Sequence, residues 1–335
     1  MPDSTSTVIL IPVFNDWAAA RLLLQDTDQV LAAEGLEARI LFVDDGSTEP
    51  PDSVLAGMSP KALGSIDVLA LKRNLGHQRA IAIGLAFAAE KIECDSLVIM
   101  DGDGEDAPRD IPRLLARLGE EGGSAIVFAE RARRTEGIVF RTCYQAYKVL
   151  HLALTGVAVR VGNFSAVPGK MLGKLAVLSE LWNHYSAAVF VSRLPFKTIP
   201  TARAARLDGR SKMNFQDLVV HGLRALSVFG ETITVRLLIL AALVFGVLGV
   251  SAIVVVARGC CAEASVPGGT LAMAGAFILA LLHGFVITAL IAFVMIGRRS
   301  YSHFLPCRDY GHFVDSCRRL FGSGQPPECT GNDKE

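Results

Sequence analysis

Leu97-Val98-Ile99-Met100-Asp101-Gly102-Asp103-Gly104-Glu105-Asp106 is the stretch on which the reading of this chain turns. Its apolar run, Leu97 to Met100, reads as a strand buried on both faces. The run delivers Asp101 and Asp103 two residues apart with Gly102 between them, so both carboxylates can reach one hard, oxygen-seeking cation. Gly102 and Gly104 leave room for a bulky anion to approach the backbone. Taken alone the stretch has two readings. One is a divalent metal that holds a diphosphate; the other is an acidic turn in which Asp106, ahead of Pro108, starts a helix. A helix–loop–helix calcium site fits poorly, because Asp106 and Pro112 occupy its glycine and final glutamate positions.

The surrounding chain favours the first reading. Thr7–Val13 is a second buried run, ended by Phe14-Asn15-Asp16. Trp17–Ala33 follows with helical spacing, with Asn15 or Asp16 as its cap. Arg39–Val43 and Ile66–Leu71 are further strands, followed by Asp44-Asp45-Gly46-Ser47-Thr48 and Lys72-Arg73-Asn74-Leu75-Gly76-His77. Gln78–Lys91 is an alanine-rich helix, and Ala125–Ala129 a fifth strand. Strands alternating with helices predict a mostly parallel α/β sheet covered on both faces, whose ligand lies beyond the strands' carboxyl ends. Neither the glycine-rich dinucleotide fingerprint nor a phosphate loop is present. A nucleotide with a metal-bound diphosphate fits best.

Beyond this region, Glu136–Thr155 has helical spacing and Val161–Pro168 breaks it. Leu181–Tyr185 starts another helix, Thr198–Pro200 is extended, and Arg203–Lys212 is a basic loop. Acidic and basic residues balance at 33 each, which gives no global field for nucleic acid. The apolar excess lies near the C-terminus. Leu237–Ala257 holds no charge and reaches roughly 31 Å as a helix, about one bilayer core; Thr270–Ile296 has only His283 as an ionisable group. These read as two membrane spans. Arg236 before the first and Arg298-Arg299 after the second place both ends on the cytoplasmic side. The polar N-terminus gives no signal peptide. The seven cysteines have no metal-type spacing and are expected to be reduced. Asn214–Gly230 alternates at helical spacing, as an interfacial helix or as one packed on the soluble domain, and Gly322–Pro327 reads as disordered. The expected domains are a cytoplasmic catalytic domain (1–213), a juxtamembrane helix (214–232), spans at 233–258 and 270–297 joined by an outward loop (259–269), and a cytoplasmic polar tail (298–335).

In order and spacing, these loops resemble a family 2 glycosyltransferase of the GT-A fold, and more narrowly the polyprenyl-phosphate glycosyltransferases. The pieces are Ile11–Asp16, Val43–Thr48, Arg73–Gly76, Asp101-Gly102-Asp103, Arg206–Lys212 and the C-terminal hairpin. The resemblance implies an integral membrane enzyme, expected in a bacterial inner membrane, that moves a sugar from a UDP- or GDP-sugar donor to a lipid acceptor. Pro12, Phe14 and Asp16 would line the nucleobase pocket, with core packing as the alternative for Phe14, and Asp44 or Asp45 would hold base or ribose. Asp101 and Asp103 would carry Mg²⁺ or Mn²⁺, with Arg73 and His77 beside the phosphates. Arg206, Ser211 and Lys212 would grip phosphate, or else meet anionic headgroups, and Arg131 is a further candidate beside Arg133 and Arg134. Two departures stand out. Glu105-Asp106-Ala107-Pro108 replaces Gln-Asp-Pro-Pro, and Gly162-Asn163-Phe164-Ser165 replaces Gly-Asp-Phe-Arg. Asparagine cannot accept a proton, so either the acceptor is a phosphate, already ionised at neutral pH, or the base moves, with Asp106 nearest. Rival readings are another acceptor on the same fold, a non-catalytic scaffold, or a transporter, which two spans would form only as an oligomer; a homo-oligomer stays open.

Overall fold

The computed structural model describes residues 6–51, 55, 57–131, 138–158, 161–202, 204–208, 215–261, 268–299 and 304–328. The chain divides into two units: residues 1–146, 158–228 and 304–335, and residues 147–157 with 229–303.

The first unit is built on an eight-stranded sheet. In chain order its elements are β1 (Thr7–Val13), α1 (Trp17–Ala33), β2 (Ala38–Asp44), β3 (Leu63–Leu71), α2 (His77–Lys91), β4 (Ser96–Ile99), α3 (Ile111–Glu120) and β5 (Ile126–Arg131). After α4 (Ile138–Thr155) come β6 (Val161–Pro168), α5 (Gly169–Ala176), α6 (Tyr185–Val191), β7 (Phe196–Thr201) and α7 (Phe215–Val228). The strands run β7-β5-β6-β4-β1-β2-β3-β8, β8 being Val314–Phe321. Pairings β1–β2, β1–β4, β2–β3 and β5–β7 are parallel.

The apolar runs are continuous because both faces of the central strands are covered. Along β1, Val8 and Leu10 join the core layer under α2, while Ile9, Ile11 and Val13 join the layer under α1 and α3. The alanines of α2 let it sit close to the sheet. At Gly84 a Cβ would lie 2.5 Å from Val43 Cγ2 and 2.8 Å from Leu10 Cδ1, so a larger residue would have to displace both side chains. On the other face Trp17 meets Phe42 edge-on at 5.5 Å and donates its indole N–H to Glu49 O at 3.1 Å.

The sheet is mostly parallel, as expected, and within it β6 runs antiparallel to both β4 and β5. Val161–Pro168 therefore does not merely break a helix. Glycine, asparagine, serine and proline disguise it as a turn, yet Phe164 to Pro168 are buried. The polar tail also contributes structure, since β8 pairs antiparallel with the edge of β3. Its charges suit an edge strand, and Arg319 donates to both oxygens of buried Asp67 at 2.7 and 3.0 Å. Gly322–Pro327 continues this strand as described turn and coil, and Pro327 sits beside Arg39, Leu41 and Asp67 rather than in a disordered segment.

The second unit holds the end of α4, then α8 (Gly230–Cys261) and α9 (Gly268–Arg299), which pack together with Phe245 and Phe285 at 6.2 Å. Within α8, Gly230–Ser251 is long and apolar enough to cross a membrane; Gly275–Ile291 in α9 is a shorter apolar stretch. Arg236 donates to Ala153 O at 2.9 Å, and the His151 ring meets Phe229 edge-on.

Candidate active site

Four strand ends build the site. The turn after β4 presents the two carboxylates first noted in the sequence. Gly102 gives the turn a close approach to β1, where a Cβ would lie 3.0 Å from Pro12 O. Gly104 takes φ +82°, and a Cβ there would meet Leu207 at 2.4 Å. Asp103 accepts from Glu105 N–H at 3.0 Å. Asp106 is 4% exposed and accepts the backbone N–H of Asp101 at 3.0 Å, which folds the turn back on itself. Burial, and then the Asp101 carboxylate, push Asp103 above the usual carboxylate range, while Glu105 N–H and Arg206 pull it back. Two crowded carboxylates of this kind favour a cation between them.

The loops after β1, β2 and β3 interlock beside this turn. Asp44 accepts Ser47 N–H at 2.9 Å, and Asn15, in the left-handed region, takes Thr48 N–H at 2.8 Å. Asp45 receives Leu75 N–H and Gly76 N–H at 2.7 and 2.8 Å. Burial raises its pKa and these two N–H groups counter it. Gly46, at φ +72°, lets the β2 loop pass within 2.6 Å (from a Cβ position) of the Arg73 carbonyl carbon. Asp16 stands at the N-cap of α1, as expected, but without a side-chain cap bond; its carboxylate is instead bound by Arg206.

His77 opens α2, and its Nε2 lies 3.0 Å from Asp101 Oδ1. Desolvation lowers its pKa, but Asp101, then Asp103 and Asp106, overrule that and leave it raised. The imidazole is nonetheless 41% exposed, so desolvation by surrounding groups opposes charging less than full burial would.

The orientation of Asn163 follows from a fixed donor. The backbone N–H of Tyr185 can only donate, and it does so to Gln78 Oε1 at 2.8 Å. Gln78 Nε2 must then donate to Asn163 Oδ1, 3.1 Å away. That leaves the Asn163 NH₂ group facing Asp101 Oδ1 at 3.3 Å and His77 Nε2 at 3.0 Å. Asn163 therefore presents hydrogens, not a lone pair, to the carboxylate beside it.

The sequence-derived candidates distribute unevenly. Asp16, Asp101, Asp103, His77 and Arg206 come together: Arg206 pairs with Asp16 and with Asp103, the latter at 3.3 Å. Asp44 and Asp45 line the neighbouring loops. Phe14 is 42% exposed at the end of β1, so it does not pack in the core, while Pro12 is buried within β1. Arg73 is exposed on the β3–α2 loop. Ser211, Lys212, Arg133 and Arg134 lie outside the described residues, as does the side chain of Arg131 at the end of β5. Sequence reasoning passed over Gln78 and Tyr185, which orient Asn163 across separations of 85 and 107 residues. Among the described residues no three His, Cys, Asp or Glu side chains form a metal cage. Asp101 and Asp103 nonetheless supply two hard oxygen donors, which suits Mg²⁺ or Mn²⁺ completed by phosphate oxygens and water.

The model for glycosyl transferase family 2 matches residues 8–173. An undecaprenyl-phosphate 4-deoxy-4-formamido-L-arabinose transferase of Klebsiella pneumoniae is 27% identical over 73% of this chain and 79% of its own. A transferase of the same name from Enterobacter sp. is 27% identical over 68% and 72%. Among solved structures, the glucosyl-3-phosphoglycerate synthase of Mycobacterium tuberculosis, in complex with Mn²⁺, UDP-glucose and phosphoglyceric acid, superposes with a TM-score of 0.51. It is 16% identical, over 68% of this chain and 80% of that one.

Proposed function

The chain belongs to glycosyl transferase family 2, and from that premise we propose that it transfers a sugar, with inversion, from a UDP- or GDP-sugar to a polyprenyl phosphate at a membrane surface. The observation that carries the acceptor assignment is the direction of the Asn163 amide. A hydroxyl acceptor is a weak nucleophile and needs a base beside the sugar. Next to Asp101 this chain places an NH₂ group instead. A phosphate monoester needs no base, because its second pKa near ~6 leaves it largely dianionic at neutral pH.

In this reading Asp101 and Asp103 hold Mg²⁺ or Mn²⁺, which when bound stabilises the charge that develops on the departing nucleoside diphosphate. Asn163 points a hydrogen at Asp101, and His77 Nε2 lies 3.0 Å from the same oxygen; together they set the orientation of that carboxylate. Arg206 holds Asp16 and Asp103 together, joining the loop after β1 to the turn after β4. Phe14, exposed beside that bridge, serves as the surface for the base. Asp44 and Asp45 shape the nucleoside loops, with their oxygens engaged by backbone N–H groups. Asp106, first considered as a base, is assigned to the turn it holds shut. Arg131, Ser211 and Lys212 stay candidates for the acceptor phosphate. We place residues 1–213 and both termini on the cytoplasmic side of a bacterial inner membrane, with spans at 233–258 and 270–297.

The experiment is incubation of membranes containing the chain with a panel of radiolabelled UDP- and GDP-sugars, followed by lipid extraction. Label in a mild-acid-labile lipid is expected. Label confined to an alkali-stable, acid-resistant lipid would transfer the assignment to a hydroxyl acceptor, and no labelled lipid with any donor would defeat it.

A further inference from the structure

Three arginines gather at the start of α2, and nothing in the donor site uses two of them. Arg79 lies in the first turn of that helix, where its backbone N–H donates to Gly76 O at 2.9 Å. Its guanidinium stacks over the Trp182 ring, 4.8 Å from the centroid. Arg224 reaches the same place from α7: its Nη1 lies 3.8 Å from where a Cβ on Gly76 would be. Arg73 is on the loop that leads into the helix. Among the described residues none of the three guanidinium groups has a carboxylate within ion-pair distance or a side-chain hydrogen bond.

The surroundings place no direct ion pair on them. The first turn of α2 holds no acidic residue, so the positive end of a 15-residue helix adds to the same field. Asp45 is the acidic group facing Arg79, and both its oxygens are occupied by the N–H groups of Leu75 and Gly76. Burial, then Arg224 and Arg73, lower the pKa of Arg79, and Asp45 opposes them. Solvent-exposed arginines generally drift apart or find an acid. Here one is held by an aromatic ring and the other by its helix.

We infer that Arg79 and Arg224, with Arg73 at the rim, form a second anion site that takes the phosphate monoester of an apolar, membrane-borne chain, separate from the Asp101–Asp103 site for the donor. The planar fork of two guanidinium groups matches the oxygens of a phosphate. The apolar chain is argued from α7 itself. Val220 and Leu223, beside Arg224 on this helix, are exposed, and Arg224 stands six residues before Gly230, where the candidate membrane span begins. A free phosphate would need the arginines but not these apolar neighbours. The inference rests on the proposed lipid-phosphate acceptor and adds the residues that would hold it, which the sequence motifs had placed only on Arg131, Arg206, Ser211 and Lys212.

The test is binding to the full chain in lipid nanodiscs, with farnesyl phosphate, farnesol, inorganic phosphate and UDP with Mn²⁺ as probes. In R224Q and R79Q the affinity for farnesyl phosphate should fall about tenfold or more, the loss expected for one charge-assisted contact. Farnesol binding should be the same in all proteins, and UDP·Mn²⁺ affinity should stay within about twofold of the parent. R79K, which keeps the charge and loses the fork, should fall between and guards against a packing effect on Trp182. Farnesyl phosphate bound equally well by the parent and both glutamine variants would overturn the inference. So would a loss confined to UDP·Mn²⁺, which would return the arginines to the donor, or inorganic phosphate bound as tightly as farnesyl phosphate. Failure of UDP·Mn²⁺ to bind the parent would count against the transferase reading and leave the farnesyl phosphate result to stand by itself.

Discussion

Replacing Asn163 with aspartate changes no volume and exchanges one NH₂ group for a charged oxygen. The Gln78 hydrogen bond survives, because Gln78 donates to the oxygen that both side chains share. The other atom moves from donor to anion 3.3 Å from Asp101 Oδ1. At an effective dielectric of 20, two unit charges at that 3.3 Å separation repel by about 5 kcal/mol. Two effects reduce this. Asp101 is partly open to solvent, and His77 Nε2, 3.0 Å from the same atom, supplies a counter-charge whenever it is protonated. About 1–2 kcal/mol of net destabilisation remains, in line with a poorly compensated, part-buried charge. For a domain of this size that lowers the apparent melting midpoint by about 3–6 °C. A divalent cation reverses the sign, since a third carboxylate beside Asp101 and Asp103 strengthens the hold on it. The assay is thermal unfolding of the purified chain and of N163D, each in EDTA and in Mn²⁺. N163D should melt lower in EDTA, recover most of the difference in Mn²⁺, and bind Mn²⁺ about tenfold more tightly, which is about 1.4 kcal/mol. Equal midpoints in EDTA together with equal Mn²⁺ affinities would refute the placement of Asn163 against the Asp101 carboxylate.

Other perturbations test the frame around the site. G84A should lower stability by about 1–3 kcal/mol by overpacking α2 against Val43 and Leu10, seen as a lower thermal midpoint at unchanged secondary structure. R319M leaves Asp67 buried without its cation and should cost about 3 kcal/mol, read from the urea midpoint; D67N/R319M together should restore part of it. R206M should raise the donor KM about tenfold by separating Asp16 from Asp103, a loss of about 1.4 kcal/mol. An R206M enzyme with the parent's KM would exclude that bridge from donor binding.

Much of this was legible because it was local. The buried runs of β1 to β5, the span of α1, and the paired aspartates after β4 all follow from short-range patterns. What escaped depended on distant partners. β6 is a central strand spelled with turn residues, and it becomes a strand only because β4 and β5 lie on either side to pair with it. β8 is an edge strand with four charged or polar residues, recruited by β3 from more than 240 positions away. Asn163 could be seen to lack a proton-accepting group, but the direction of its amide came only from Gln78 and the Tyr185 N–H. Arg79 and Arg224 belong to no motif; helix packing alone brings them to one place.

The central claim is that Asp101 and Asp103 hold a divalent metal against a nucleotide-sugar diphosphate. Calorimetric titration of the full chain in nanodiscs with UDP- and GDP-sugars, in Mn²⁺ and in EDTA, tests it most directly, with D103N as the matched variant. The account predicts binding of at least one donor in Mn²⁺, its loss in EDTA, and its loss in D103N with the fold intact. Donor binding of equal strength in EDTA, or in D103N, would contradict it.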